Sequence, residues 1–115
     1  MKNIYWFHGS NSKAIENKIL SWSNAFKTKN PEGADIQKIH AKEVDDFQSF
    51  LRIQQTPSLL STKRLIIICD WVASKKYHKD HLTQLENVCT DNILIFTDQK
   101  LPRLPKKIPD NLELQ

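Results

Sequence analysis

Apolar residues along this chain fall into short continuous runs and into stripes with helical spacing. The runs cover residues 4–7, 65–68 and 93–96. Short, uniformly apolar runs are typical of strands that are buried on both faces of a sheet. They predict three buried strands, and the run within 64–69, which is rich in β-branched residues, is expected to form the central strand. Residues 35–40 alternate less cleanly and predict a further strand.

Three stripes predict helices between these strands. They are formed by Ile15, Ile19, Trp22 and Phe26; by Val44, Phe47 and Leu51; and by Leu82, Leu85, Val88 and Cys89. The first helix is expected to begin at Ser12, capped by Asn11 or Ser12 itself. The second is expected to begin near Ala41 and to end before Pro57, because the residue before a proline is driven out of the helical region.

The alternation of strands and helices predicts an α/β fold, a three-layer sandwich with a mostly parallel sheet. Residues 1–101 are expected to form this domain. Three prolines, at positions 102, 105 and 109, exclude a regular helix from residues 102–115 and predict a Pro-rich irregular tail. Leu112 and Leu114, near the end of that tail, are candidates for pairing at a sheet edge.

The composition, 39% hydrophobic and 26% charged, is that of a folded protein. No apolar stretch approaches the length of a signal-peptide core or a membrane span, so a cytoplasmic location without membrane contact is expected. Cys69 and Cys89 lie at the ends of apolar segments and are interpreted as reduced core thiols. Trp6 and Trp22 are expected in the core, whereas the position of Trp71 is left open.

Catalytic chemistry in an open α/β sheet is expected at the carboxyl ends of the strands, which in this chain are residues 8–13, 40–41, 70–71 and 97–100. A phosphate-binding loop there needs G-x-x-x-x-G-K-[ST]. The segment from Gly9 to Ile15 has the first glycine but lacks the second glycine, the lysine in its place and the adjacent hydroxyl. Lys13 remains as a basic residue at the helix start. No cofactor is therefore expected.

Other catalytic patterns are also incomplete. Asp70 ends a strand as a magnesium-binding aspartate would, but Trp71 follows it, so a turn or capping role is favoured. A phosphoacceptor role for Asp70 would need an acidic pair after the first strand, where His8 and Gly9 stand. The four histidines, at positions 8, 40, 78 and 81, lack a suitable third ligand and are expected to be exposed, with no metal bound. Catalytic residues are not expected.

The polar segment before the central strand contains an adjacent apolar pair, Leu59 and Leu60, preceded by Pro57 and Ser58. One interpretation is that the leucines tuck against the core. However, two neighbouring leucines in a loop do not easily bury both side chains in one core, so at least one is a candidate anchor for a partner's hydrophobic pocket.

Three segments together carry a resemblance: IYWFHGSNS at the start, LIIICD preceded by TPSLLSTKR, and NILIFTDQKL. In this order and spacing, over residues 1–101, they resemble the N-terminal AAA+-like domain of the bacterial DNA polymerase III delta subunit, a clamp-loader component. The resemblance implies a P-loop NTPase-like fold without a functional nucleotide site. Gly9, Ser10 and Lys13 would then form a degenerate nucleotide loop.

The same resemblance implies that Leu59 and Leu60, with Pro57 and Ser58, bind the sliding clamp (the beta subunit) and help to open its ring during DNA replication. The family usually has an aromatic residue where this chain has Leu60. It also continues into a helical lid and a collar that joins other clamp-loader subunits, so those partners are expected only if the full-length chain is longer. Contact with DNA would be indirect.

Two other functions are alternatives to clamp binding, and each is suggested by particular residues of the chain. A divergent P-loop NTPase would use Lys13 and Asp70. A basic DNA-binding module would use the clusters formed by Lys75, Lys76 and Lys79 and by residues 103–107, in a chain of net charge +4.

Overall fold

A computed structural model describes residues 3–31, 34–44, 46–48, 52, 63–75, 81, 92–100 and 112–115. In chain order the elements are β1 (Ile4–His8), α1 (Ser12–Lys29), β2 (Ala34–His40), a short 3-10 helix (Ala41–Glu43), β3 (Lys63–Cys69), β4 (Asn92–Asp98) and β5 (Leu112–Leu114). The four strands predicted from the apolar runs and from residues 35–40 are confirmed.

The five strands form one sheet in the order β2-β3-β4-β1-β5, and every neighbouring pair is parallel. The fold is therefore α/β. β3 is an interior strand as predicted, but β4 is the middle one, because β1 pairs along its other side with Ile4 opposite Leu94. The predicted edge pairing is also confirmed, since Leu112 lies opposite Ile4. β5 thus belongs to the same sheet as the strands of residues 1–101.

The strand order separates β1 from β2 by two strands. Dinucleotide-binding sheets follow the order 3-2-1-4-5-6 and flavodoxin-like sheets, which include receiver domains, follow 2-1-3-4-5. Both place the first strand beside the second. The sheet of this chain therefore belongs to neither class, which agrees with setting aside a phosphoacceptor role for Asp70.

One face of the sheet is covered by α1. The predicted stripe is confirmed: Phe26 is buried, and Ile15, Ile19 and Trp22 pack against a cluster formed by Phe7, Leu65, Ile67 and Ile95. The ring of Trp22 meets those of Tyr5 and Phe7 edge-on at centroid distances of 4.5 and 5.1 Å. Such edge-to-face contacts add to the apolar area that the helix buries. The helix ends at Asn30, whose backbone and side-chain N–H groups donate to the carbonyl of Phe26.

The opposite face is covered by residues that follow β2 and β3. Val44, Phe47 and Trp71 pack there on the buried side chains of Trp6, Ile66, Ile68, Leu94 and Phe96. Trp71 is therefore a core residue, and the rings of Phe47 and Trp71 meet at 5.8 Å. From β1 to β2 the chain crosses the sheet in one direction, and from β2 through β3 to β4 it returns in the other. Because crossovers between parallel strands are right-handed, the connection after β1 lies on one face of the sheet and the connections after β2 and β3 lie on the opposite face.

The predicted start of the second helix at Ala41 is wrong. Ala41–Glu43 is a 3-10 helix closed by a capping box, in which the His40 ring accepts from the amide of Lys42 and the Glu43 carboxylate accepts from the amide of His40. Val44 then adopts extended backbone angles, and helical backbone is seen at Phe47, Gln48 and Arg52. Of the third predicted helix only His81 is described, and its backbone is helical.

No helix within the described ranges is both long and apolar enough to cross a membrane.

Candidate functional site

A cleft of about 270 Å³ opens at the carboxyl edge of the sheet. It lies between the start of α1 and the ends of β3 and β4. Its lining comprises Gly9, Ser12, Ile15, Glu16, Ile19, Lys38, Cys69, Asp70, Thr97, Asp98 and Gln99. A second cleft of about 330 Å³ adjoins it and is lined by Asp70, Val72, Ala73, Asp98, Gln99 and Lys100. We call these the helix cleft and the turn cleft.

The helix cleft lies where the topology reverses direction. The chain leaves β1 toward β2 on one side of the sheet, whereas it leaves the adjacent β4 toward β5 on the other side. Open α/β sheets bind ligands in the crevice at such a switch point. The sequence segments selected for chemistry, 8–13, 40–41, 70–71 and 97–100, are brought to this edge by the parallel strands.

The junction between β1 and α1 is short. Only Ser10 and Asn11 separate Gly9 from the first residue of the helix, whereas a phosphate loop has four residues between its two glycines. Gly9 has a φ of +146°, which a residue with a side chain rarely adopts, and its amide donates to the carbonyl of Asp98 at 3.2 Å. Ser10 and Lys13 are exposed.

The side chain of Asn11 caps α1. Its Oδ1 accepts from the amide of Ala14 at 3.1 Å, which settles the predicted choice between Asn11 and Ser12 in favour of Asn11. The first turn of a helix offers free N–H groups to an anion. In this chain the asparagine already occupies one of them, so the helix start is less able to receive a phosphate.

Replacing the cap gives a direct test of that role. Asn11→Ala is expected to lower the free energy of unfolding by about 1 kcal/mol, because the amide of Ala14 loses its acceptor. Urea unfolding measures the change. Asn11→Asp is the matched control, since its carboxylate can accept the same bond, and it should leave the stability within about 0.5 kcal/mol of the native chain. Equal losses in both variants would show that Asn11 stabilises the helix in another way.

Asp98, at the end of β4, is the most unusual residue of the site. It is only 4% exposed, and both carboxylate oxygens accept hydrogen bonds, Oδ2 from the indole N–H of Trp6 at 2.9 Å and Oδ1 from the amide of Val72 at 3.0 Å. Burial raises the pKa of the Asp98 carboxyl from its usual 3.8 to about 6, and the nearby charge of Asp70 acts in the same direction. The bonds from Val72, Trp6 and Ala73 oppose the rise in this pKa.

Asp98 is not among the residues singled out from the sequence pattern, although segment 97–100 was. The available signal was an acidic residue two positions after the apolar run 93–96, in parallel register with the end of β1. Since the side chains of Trp6 and Asp98 are 92 residues apart in sequence, their bond depends on the strand pairing.

Asp70 occupies a turn. Its φ is +61°, its carbonyl accepts from the amide of Ser74 at 3.0 Å, and its own amide donates to the carbonyl of Thr97 at 2.9 Å. Its carboxylate lies 2.9 Å from Nε2 of His40. These contacts agree with the favoured turn role for Asp70.

Of the three histidines that the structure describes, His8 alone is exposed as expected. His40 is half-buried beside Asp70, and the half-buried His81 stacks on Phe47 with a centroid distance of 4.2 Å. These rings are drawn inward by an acidic partner and by an aromatic partner that the sequence pattern does not reveal. His78 lies outside the described residues. No cluster of three metal-binding side chains occurs in the part of the chain that the structure describes.

Cys69 has a free thiol and is half-buried beside the helix cleft. Cys89 lies outside the described residues. So do Pro57, Ser58, Leu59 and Leu60, the residues predicted to bind the clamp. Of the basic clusters, Lys75 is described; it is exposed and has a φ of +60°.

Comparison with known proteins adds no family assignment. No protein-family model matches this chain, and no curated protein matches it.

Proposed function

We propose that this chain is a non-catalytic clamp-loader domain, similar to the N-terminal domain of the DNA polymerase III delta subunit, that binds a sliding clamp through residues 57–60. The observation that carries the proposal is the junction between β1 and α1. In an all-parallel α/β sheet with a cleft at the switch point, this junction is two residues long beyond Gly9 and is closed by the Asn11 cap. This short junction supports a domain that lacks a phosphate loop at the position where a P-loop NTPase would have one.

The charges that line the helix cleft also argue against nucleotide binding. Glu16, Asp70 and Asp98 are its acidic lining residues, and Lys38 is the basic one. A nucleoside triphosphate carries several negative charges, and an acidic cleft repels it. Any ATP dependence would therefore reside in other subunits of the complex, and this domain would act by binding alone.

The proposed binding to the clamp depends on the burial of apolar side chains. Transfer of one leucine side chain into a clamp pocket contributes roughly 1.5–3 kcal/mol, and ordering of the binding segment offsets part of this. A rigid body is needed behind the anchor if binding is to strain the ring. β3 supplies it, because residues 64–68 are all buried and pair with strands on both sides. The resemblance places this activity in the cytoplasm, with contact to DNA through the clamp.

Sedimentation of the chain with a bacterial sliding clamp tests the proposal. The chain is expected to co-sediment with the clamp to the same extent with and without Mg-ATP, and the chain alone is expected to release no phosphate from ATP. Clamp binding that requires ATP would contradict the non-catalytic role. A folded chain that sediments separately from the clamp under both conditions would contradict the clamp-binding function.

A further inference from the structure

The carboxylate of Asp98 ties together three segments that are distant in sequence. It belongs to β4, it accepts from Trp6 on β1, and it accepts from Val72 in the turn formed by residues 71–75 after β3. The amide of Ala73 in the same turn also favours its ionised form. The ionised side chain therefore fastens this turn to the end of the sheet.

The two bonds differ in how firmly their donors are held. Trp6 is 1% exposed and stacks on Phe96 with a centroid distance of 4.5 Å, so its indole is fixed by the core. Val72 is half-buried, in a turn flanked by two residues with left-handed backbone, Asp70 and Lys75. Left-handed backbone at a residue other than glycine costs free energy and persists only while surrounding bonds hold it. Of the two hydrogen bonds to Asp98, the one from Val72 is therefore the less firmly held.

Protonation changes what Asp98 can accept. An ionised carboxylate is an acceptor at both oxygens, whereas a protonated one carries an O–H donor on one of them. An N–H group that faces this O–H loses its acceptor. Since the indole of Trp6 is fixed, the bond from Val72 is the one expected to break.

The surroundings give the turn space to move. Val72 and Ala73 of the turn line the turn cleft, which shares Asp70, Asp98 and Gln99 as lining residues with the helix cleft. Both clefts are open to solvent, so protons and water reach this region without unfolding of the sheet.

We propose that Asp98 is an acid-sensitive latch that holds the backbone amides of Val72 and Ala73 against the end of β4 when ionised and releases the Val72 amide when protonated. This device is independent of clamp binding. The charged and titratable groups around it are Asp70 directly before the turn, His40 beside Asp70, Glu16 from α1, Lys38 from β2, Cys69 from β3 and Lys100 after β4.

Local release and global stability should respond to acid in opposite directions. Because the pKa of Asp98 in the folded chain, about 6, exceeds its usual 3.8, the native state binds the proton more tightly than the unfolded state. The contribution of Asp98 to the free energy of unfolding is therefore largest below about pH 4 and falls as pH rises through about 6. Acidification from pH 7 to 5 should strengthen the fold through this residue while it loosens the turn.

Amide hydrogen exchange measured by NMR at pH 5 and pH 7 tests the latch. The protection factor of the Val72 amide is expected to be about tenfold lower at pH 5, because the protonated fraction of a carboxyl with a pKa of about 6 is about tenfold higher at pH 5 than at pH 7. The indole N–H of Trp6 should keep its protection. Asp98→Asn, which retains only one acceptor oxygen, should give low Val72 protection at both pH values.

Asp70→Asn is the matched control, because it removes the neighbouring titratable pair with His40 and leaves Asp98 in place. The change in Val72 protection with pH should persist in this variant with its midpoint at a lower pH, because the charge of Asp70 contributes to the raised pKa of Asp98. The latch is overturned if Val72 is equally protected at both pH values in the native chain, or if the step survives in Asp98→Asn. Loss of protection at the Trp6 indole instead of Val72 also overturns it, and this comparison within the native chain needs no variant to fold.

Discussion

Trp6→Ala is expected to lower the free energy of unfolding by about 3–5 kcal/mol, the range for removal of a large buried aromatic residue. Trp6 is 1% exposed, lies on a strand with paired neighbours on both sides, and stacks on Phe96 with an interplanar angle of 19°. Domains of this size are stable by only about 5–15 kcal/mol. The variant should therefore populate the unfolded state measurably, and urea unfolding followed by far-UV circular dichroism provides the comparison.

Trp6→Phe separates the two contributions of this residue. It retains a ring against Phe96 and removes the N–H group that donates to Asp98. The expected loss is about 1–3 kcal/mol, that of leaving a buried acceptor without its donor. The pKa of Asp98 should rise further, because the bond from Trp6 opposes its increase. If Trp6→Phe and Trp6→Ala proved equally destabilising, the packing of the indole on Phe96 would not be the main contribution.

Local patterns carry most of the secondary structure of this chain. The apolar runs predicted β1, β3 and β4, and the stripe of Ile15, Ile19, Trp22 and Phe26 predicted α1. The order of the strands was not predictable in this way, because nothing in residues 4–7 distinguishes β4 or β5 from β2 as a neighbour. The 3-10 helix after β2 was missed because its capping residue is a histidine, which propensity does not rank as a cap.

The candidate site was predictable in position but not in its contacts. The rule that sites lie at the carboxyl ends of strands selected four segments, and three of them, 8–13, 70–71 and 97–100, contribute lining residues to the clefts, whereas 40–41 does not. The burial of Asp98, the bond between His40 and Asp70, and the stacking of His81 on Phe47 all depend on side chains from separate elements. Such contacts are set by tertiary packing, so residue type and spacing do not reveal them.

A double variant, Leu59→Ala with Leu60→Ala, is expected to weaken clamp binding by at least about a hundredfold. Each leucine that leaves a clamp pocket removes roughly 1.5–3 kcal/mol of apolar burial, and each 1.4 kcal/mol changes Kd tenfold. Because the delta-subunit family that this chain resembles usually has an aromatic residue at the second position, Leu60→Phe is expected to bind more tightly than the native chain. Both changes leave the buried residues of β3 untouched.

Leu20→Ala is the matched control for these substitutions. Leu20 lies on the outer face of α1 and is 61% exposed, the one exposed large hydrophobic residue in the described part of the chain. Its replacement removes the same chemical group from a different surface. Clamp affinity should remain within about twofold of the native value, since a surface substitution away from the binding segment changes free energies by at most about 0.5 kcal/mol.

The most direct test of the proposed function is an isothermal titration of a bacterial sliding clamp with the native chain, the double leucine variant and Leu20→Ala, each first shown to be folded. We predict that the native chain and Leu20→Ala bind with similar Kd and that the double variant shows no measurable heat of binding. Absence of binding by the folded native chain, or equal binding by the double variant, would contradict the assignment of residues 57–60 as a clamp-binding segment.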